Sequence, residues 1–400
     1  MSRLICDSNI CTGCSACVEV CPVRCITMCS DPLDATHPQI DTSICIDCGL
    51  CEKTCPNNIQ LNFHTPQRVY VAWSNDESIR NTSASGGIAT ELYRLWISKG
   101  GVAAGVKYEK NGECHFILIE KEYDILSTQN SKYTFSDTDG IYNKIKEKLQ
   151  LGVPVIFIGV PCQVSGLYGF LKRDYDNLTT VDIICSGMPP SEYLRQHIKS
   201  IEQRRHRVAE FVSFRDPEFN TNTYAFTLRD ATKNIFYKKR VLNTDNYQLG
   251  YHRALIYREN CYSCKYACRE RIADLTIGDF SGLGRCAPFN YDKYNTSCIL
   301  QNTDKGRRAL TEIQSVVTII ERPLTEAFGY ERKLSSPAIK HNRRKIFEEE
   351  YKKSRDFTRA ADKALRFEKI IALRTAFVQT IKKIALEVLL DLHIKHRPVK

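Results

Sequence analysis

The chain has 400 residues, a length for two or three domains, and 42% of them are hydrophobic, which suits a large core. Its net charge of +11 is uneven: residues 1–60 hold three Lys/Arg against seven Asp/Glu and residues 331–400 hold nineteen against nine, so the excess is no field over the whole surface and no nucleic-acid partner is expected. No apolar stretch approaches the ~18 residues of a membrane span, no apolar signal core precedes the first cysteines, and nineteen cysteines fit a reducing compartment, so a cytoplasmic protein is expected.

Eleven of those cysteines precede residue 60. Cys11, Cys14, Cys17 and Cys21-Pro22 form one C-x2-C-x2-C-x3-C-P run, and Cys45, Cys48, Cys51 and Cys55-Pro56 repeat it after 34 residues. That is the signature of a two-cluster bacterial ferredoxin, in which the fourth cysteine of each run serves the other cubane. Cluster one is therefore expected on Cys11, Cys14, Cys17 and Cys55, and cluster two on Cys45, Cys48, Cys51 and Cys21. Gly13 and Gly49 adjoin the second cysteine of each run, where backbone has to approach inorganic sulfide. Structural zinc sites show two cysteine pairs set well apart instead, and a disulfide scaffold suits a short secreted chain.

After residue 62 the composition changes. Residues 63–68 read as a linker, and the expected units are a ferredoxin domain over 1–62, an α/β body in two parts over 68–150 and 151–327, and a basic helical tail over 328–400. Strand patterns occur at 68–73, 101–108 and 115–120, with helices starting after Ser85-Gly86-Gly87 and over 139–149. Residues 153–163 and 178–190 are short continuous apolar runs, as in strands buried on both faces, and each leads into a helix, the second capped by Ser191. This order argues for a parallel sheet. From Val208 three alternating segments read as further strands, residues 247–260 as a helix, 296–302 as a strand and 303–313 as a helix. The fold class expected is α+β multidomain, with a mixed sheet in the body.

A second group of thiols lies in that body. Cys162 and Cys185 each end a buried strand; in neighbouring parallel strands both would emerge at the carboxyl edge, where open α/β sheets bind ligands. Cys261-x-x-Cys264 supplies two more thiols, enough for a third 4Fe–4S cluster, with Cys268 as a spare; the alternative is that they are small apolar core residues. In the tail, Phe367, Ile370, Ile371, Phe377, Ile381, Ile384, Val388 and Leu392 recur at helical spacing among Lys and Arg. This helix docks on its own protein, on a second subunit or on an anionic membrane surface.

Ser85-Gly86-Gly87, Ser131-Lys132-Tyr133, Gly159-Val-Pro-Cys-Gln163, Val181-Asp-Ile-Ile-Cys-Ser-Gly187, Cys261-x-x-Cys264 and Asp274-Leu-Thr-Ile-Gly-Asp-Phe280 occur in this order. Together they resemble the coenzyme F420 hydrogenase/dehydrogenase beta-subunit family, over about residues 1–300. The resemblance implies an iron–sulfur cluster beside FAD, electron passage between a redox partner protein or reduced coenzyme and the metal centres, and favours the third cluster. A flavin would convert the single electrons of clusters into the pairs a small-molecule substrate needs. Ser85, Gly86 and Gly87 at a helix start are candidates to cradle the FAD pyrophosphate, with Lys132 as a basic contact. Val160, Ser186 and Ser281 replace the family's usual Thr, His and aromatic residue, which points to a substrate other than coenzyme F420, such as a sugar or cell-surface precursor. The expected function is an iron–sulfur flavoprotein oxidoreductase; the alternative is an electron-transfer subunit with no substrate site of its own.

Overall fold

A computed structural model describes residues 4–109, 112–241 and 244–375. The ferredoxin-like unit is small: a short helix α1 (Ala16–Glu19), the antiparallel hairpin β1 (Ile26–Ser30) and β2 (Thr36–Ile40), and a short helix α2 (Leu50–Thr54). Its core is Ile5, Ile26 and Ile40 with Cys17, Cys25 and Cys55. Thiols make up half of that apolar core, so little holds this unit together besides what its cysteines bind.

The body begins with β3 (Arg68–Ser74), the helices α3 (Glu77–Thr82) and α4 (Ile88–Ser98), β4 (Val102–Tyr108), β5 (Cys114–Ile119), α5 (Glu122–Thr128) and α6 (Ile141–Gln150). Next come β6 (Val155–Gly159), α7 (Pro161–Leu171), β7 (Leu178–Ile183) and α8 (Ser191–Arg205). A separate three-stranded antiparallel sheet of β8 (Phe211–Ser213), β9 (Phe226–Arg229) and β10 (Ile235–Lys239) precedes α9 (Asn246–His252). The chain then returns through β11 (Leu275–Asp279), β12 (Ser297–Gln301), α10 (Asp304–Ile313) and β13 (Val317–Arg322) to α11 (Leu324–Phe328), α12 (Arg344–Ser354) and α13 (Phe357–Ala364).

Eight strands form one mixed sheet in the order β13-β3-β12-β11-β7-β6-β4-β5, with β4, β6, β7 and β11 parallel to one another at its centre. Every residue of β6 is buried. Val155 and Phe157 face a core built with α6 and α7, while Ile156 and Ile158 face the opposite core built with α4 and α10. The period of two thus puts hydrocarbon on both faces, which is why the strand reads as an unbroken apolar run.

Three boundaries differ from the sequence reading. Ser191 is the first helical residue of α8 rather than its cap: Pro190, extended at φ −53° and ψ 138°, precedes the helix and no side chain caps it. The helix expected over 247–260 stops at His252, because Ala254 turns left-handed at φ 50° and the chain enters a short 3-10 turn at Glu259–Ser263. The segment after Ala327 is no simple tail. Phe347, Tyr351, Phe357, Ala360, Ala361 and Ala364 are fully buried with Tyr193, Phe226 and Tyr247 in one aromatic-rich core. Residues 366–375 are helical, with Phe367, Ile370, Ile371 and Leu373 exposed. The rest of the expected amphipathic helix, Phe377 to Leu392, lies outside the described residues. Among the described residues no helix is long and apolar enough to cross a membrane.

Candidate iron–sulfur centres

In the ferredoxin-like unit the thiols sort into two cavities. Cys11, Cys14, Cys17 and Cys55 line one, together with Ile5, Met28 and Pro38. Cys21, Cys45, Cys48 and Cys51 line the other, with Ile26 and Ile40. The crossover of Cys55 and Cys21 between the runs follows from α1 and α2 lying against each other. Each cavity also holds a cysteine outside the motif, Cys6 in the first and Cys25 in the second. The 34-residue repeat carried the signal for Cys6, since it puts Cys6 at the position of Ile40, which lines the second cavity. Cys25 Sγ lies 3.5 Å from Cys21 Sγ.

The thiols of the first cavity are shifted in opposite directions. The Cys6 thiol as donor holds Cys11 down at about 4, against burial, and Cys55 at about 7. Burial pushes Cys14 up to about 11. Crowded buried thiols resist ionisation, and bound iron reverses this by supplying the positive charge. Among the described residues no three His, Cys, Asp or Glu are grouped as around a single metal ion; the thiols stand around cavities instead.

The body brings the second group together as well. β6 and β7 are adjacent and parallel, with Gly159 opposite Asp182, so the chain leaves both at the same edge. Cys162 sits in the first turn of α7 and Cys185 just past β7. They line a cavity of about 1090 Å³ with Cys261, Cys264, Tyr257 and Tyr266. Burial raises all four thiols, Cys185 to about 12 and Cys261 to about 11. Met188 N–H donates to Cys261 Sγ at 3.4 Å, and a buried Arg271–Asp182 pair at 2.8 Å braces the sheet edge beside them. Cys268 does not line this cavity; its thiol donates to the carbonyls of Lys265 and Glu270.

The two thiol regions meet across α7. Gly166, one turn past Cys162, faces Cys14, and a Cβ there would lie 3.1 Å from Cys14 Sγ. A Cβ on Gly169 would lie 2.2 Å from the Thr54 carbonyl at the end of α2. Two glycines inside a helix let the ferredoxin-like unit seat directly on it.

The expected flavin contacts lie elsewhere and are committed within the protein. Ser85 Oγ donates to the Thr296 carbonyl at 2.7 Å, and Gly86 N–H donates to Ser297 Oγ at 2.9 Å. Gly86 has no room for a Cβ, which would meet the Ala72 carbonyl at 2.3 Å, and Gly87 begins α4 at φ 85°. Lys132 Nζ donates to the carbonyls of Thr128, Gln129 and Asn130 at the end of α5, and burial lowers it to about 8. Ser85, Gly86 and Lys132 thus make hydrogen bonds within the protein, and Gly87 opens α4 without a side-chain cap. Val160 and Ser186, two of the three departures, line the large cavity; the third, Ser281, donates to Glu331, which lines it.

A two-cluster thiol unit set on a mixed α/β body, with further cysteines at the sheet edge, defines an iron–sulfur redox protein. Residues 10–59 match the family model of the 4Fe–4S dicluster domain. Residues 69–141 and 154–327 match those of the coenzyme F420 hydrogenase/dehydrogenase beta subunit, N-term and C terminus, and the chain belongs to that family. A chain of the F420-reducing [NiFe] hydrogenase complex from Methanosarcina barkeri, solved as a xenon derivative, aligns with a TM-score of 0.42 at 17% identity, over 77% of this chain and 94% of that one. No curated protein sequence matches.

Proposed function

We propose that this protein is an iron–sulfur oxidoreductase in which electrons pass between the two ferredoxin clusters, a third 4Fe–4S cluster on Cys162, Cys185, Cys261 and Cys264, and a two-electron acceptor bound beside that third cluster. The observation that carries this reading is the convergence of four thiols on one large cavity directly behind Cys14. The residues fit a cubane: four sulfur ligands from three separate segments, and no carboxylate or histidine competing within the set. When bound, such a cluster supplies one-electron transfer. The chain's own part is to fix the thiols at the sheet edge, exclude water behind Tyr257 and Tyr266, and bring Cys14 within contact of α7.

The acceptor in this reading is FAD, as the family implies, serving a substrate other than coenzyme F420. The cavity has room beyond the thiols, bounded by His252, Arg253, Arg332 and Lys333. Anaerobic purification with flavin analysis tests this reading. Stoichiometric FAD that reduced coenzyme F420 leaves oxidised is expected; absence of flavin, or rapid turnover with that coenzyme, contradicts it.

A second reading, an electron-transfer subunit serving a partner enzyme, is favoured by the outer thiol cavity. Cys48 is exposed there, flanked by exposed Ile44 and Ile46. A stable complex on co-purification, with no turnover of small molecules, would select it over the first.

A further inference from the structure

Beside the third thiol cavity lies a side chain with a hydrogen bond to give. Lys265 Nζ donates to the carbonyl of Pro56, the residue after Cys55, at 2.6 Å. That contact pins the segment holding Cys264 against the ferredoxin-like unit. The next residue, Tyr266, is 4% exposed, stacks on Phe63 at a centroid distance of 6.1 Å, and lines the third cavity. Its phenol oxygen finds no hydrogen-bond partner among the described residues. The neighbouring Ser165 hydroxyl gives its proton to the Pro161 carbonyl at 3.0 Å; its oxygen keeps acceptor capacity, but it and the phenol do not stand in hydrogen-bonding geometry. Apart from burial and that hydroxyl, the charges felt at the phenol are those of Cys162, Cys14 and Cys264. Buried tyrosine hydroxyls ordinarily find an acceptor. Here the remaining candidates are sulfur atoms, and Tyr266 lines the third cavity and not the first.

We propose that Tyr266 is a positioning residue for the third cluster: its phenol O–H donates to a sulfur of the cubane held by Cys162, Cys185, Cys261 and Cys264, and so raises that cluster's reduction potential. A hydrogen bond to sulfur stabilises the more negative, reduced state. The electron that leaves cluster one, oxidising it, is the electron that reduces the third cluster. The phenol keeps its proton and changes only the driving force of that step. The inference rests on the third cavity being a cluster site.

The test is an anaerobic redox titration followed by EPR on the full chain, with iron analysis of the same samples, for wild type, Tyr266→Phe and Ser165→Ala. Three cubanes require about twelve iron atoms per chain and two require about eight. Tyr266→Phe is expected to keep about twelve irons and to lower the third cluster's midpoint potential, leaving those of the ferredoxin clusters unchanged; Ser165→Ala is expected to shift none of them. An unchanged third midpoint in Tyr266→Phe at full iron content overturns the proposal. So does an equal shift in Ser165→Ala, which assigns the donor to the serine, or loss of third-cluster iron in Tyr266→Phe, which makes the phenol a requirement for assembly. Wild-type protein with about eight irons removes the cluster site itself, and the iron count separates that failure from the others.

Discussion

In both halves of the ferredoxin-like unit the second cysteine stands between two left-handed residues, Gly13 and Ser15 around Cys14, and Asp47 and Gly49 around Cys48. The two glycines, one before its cysteine and one after, occupy opposite members of the pair, and each half carries one non-glycine residue in a conformation that costs about 1–2 kcal/mol. The loop that curls three thiols around one point demands both turns, whichever residues supply them. Gly13 also admits Arg258, whose guanidinium would come within 2.9 Å of a Cβ there and which donates to the Thr36 carbonyl at 2.9 Å. At this scale the sharpest prediction concerns the body. Cys162→Ser should remove the iron of one cubane, about four atoms per chain, and leave the ferredoxin EPR signals intact. Cys268→Ser should change neither, because that thiol is turned toward backbone carbonyls.

At the scale of elements, α7 does two jobs. Its first turn delivers Cys162 to the sheet edge, and its middle, at Gly166 and Gly169, is the floor on which the ferredoxin-like unit rests. Gly169→Val should destabilise the protein by about 1–3 kcal/mol through overpacking, read as a lower midpoint in thermal unfolding, because the Thr54 carbonyl it would strike belongs to backbone. The strands β6 and β7 were legible as unbroken apolar runs, and their adjacency followed from the order of elements, so the meeting of Cys162 and Cys185 could be anticipated. The docking was not legible: a helix with two internal glycines reads the same whether it abuts its own sheet or another unit. Ser85-Gly86-Gly87 is ambiguous for a related reason: a tight turn against a strand and an anion cradle ask for the same residues, and in this fold Ser85 and Gly86 also bond within the protein.

A third element-level feature fixes α8 to α9. Burial alone would raise the Asp245 carboxyl, but His197 at 2.8 Å, with hydrogen bonds from Gln248 N–H and Tyr237, holds it down at about 2. Its pKa in the folded state is below the ordinary ~3.9 of the unfolded chain. The stability it contributes is therefore complete above about pH 4 and lost as pH falls toward 2. Asp245→Ala should cost about 3–5 kcal/mol at neutral pH by leaving His197 buried without its partner. It should also flatten the acid limb of a stability-versus-pH curve measured by denaturant unfolding; an unchanged limb would contradict this assignment.

Across the whole molecule the ferredoxin-like unit is held at several points rather than tethered by its linker. Asp34 in the β1–β2 turn accepts from Tyr351 and pairs with Arg355 at 2.6 Å, while Tyr193 donates to the Leu33 carbonyl at 2.7 Å. The residues after Ala327, which in sequence read as a basic helical tail, supply this clasp. Their apolar partners lie far back in the chain, at Tyr193, Phe226 and Tyr247, and periodicity cannot name a partner so distant in sequence. With the unit fixed, the distance from the first thiol cavity to the third is a property of the fold.

Iron and acid-labile sulfide analysis of the anaerobically purified full chain tests this account most directly. Three cubanes predict about twelve of each per chain, with the broad visible absorption of iron–sulfur protein. About eight of each would contradict the third centre, and a colourless protein carrying zinc would contradict the account from the ferredoxin-like unit onward.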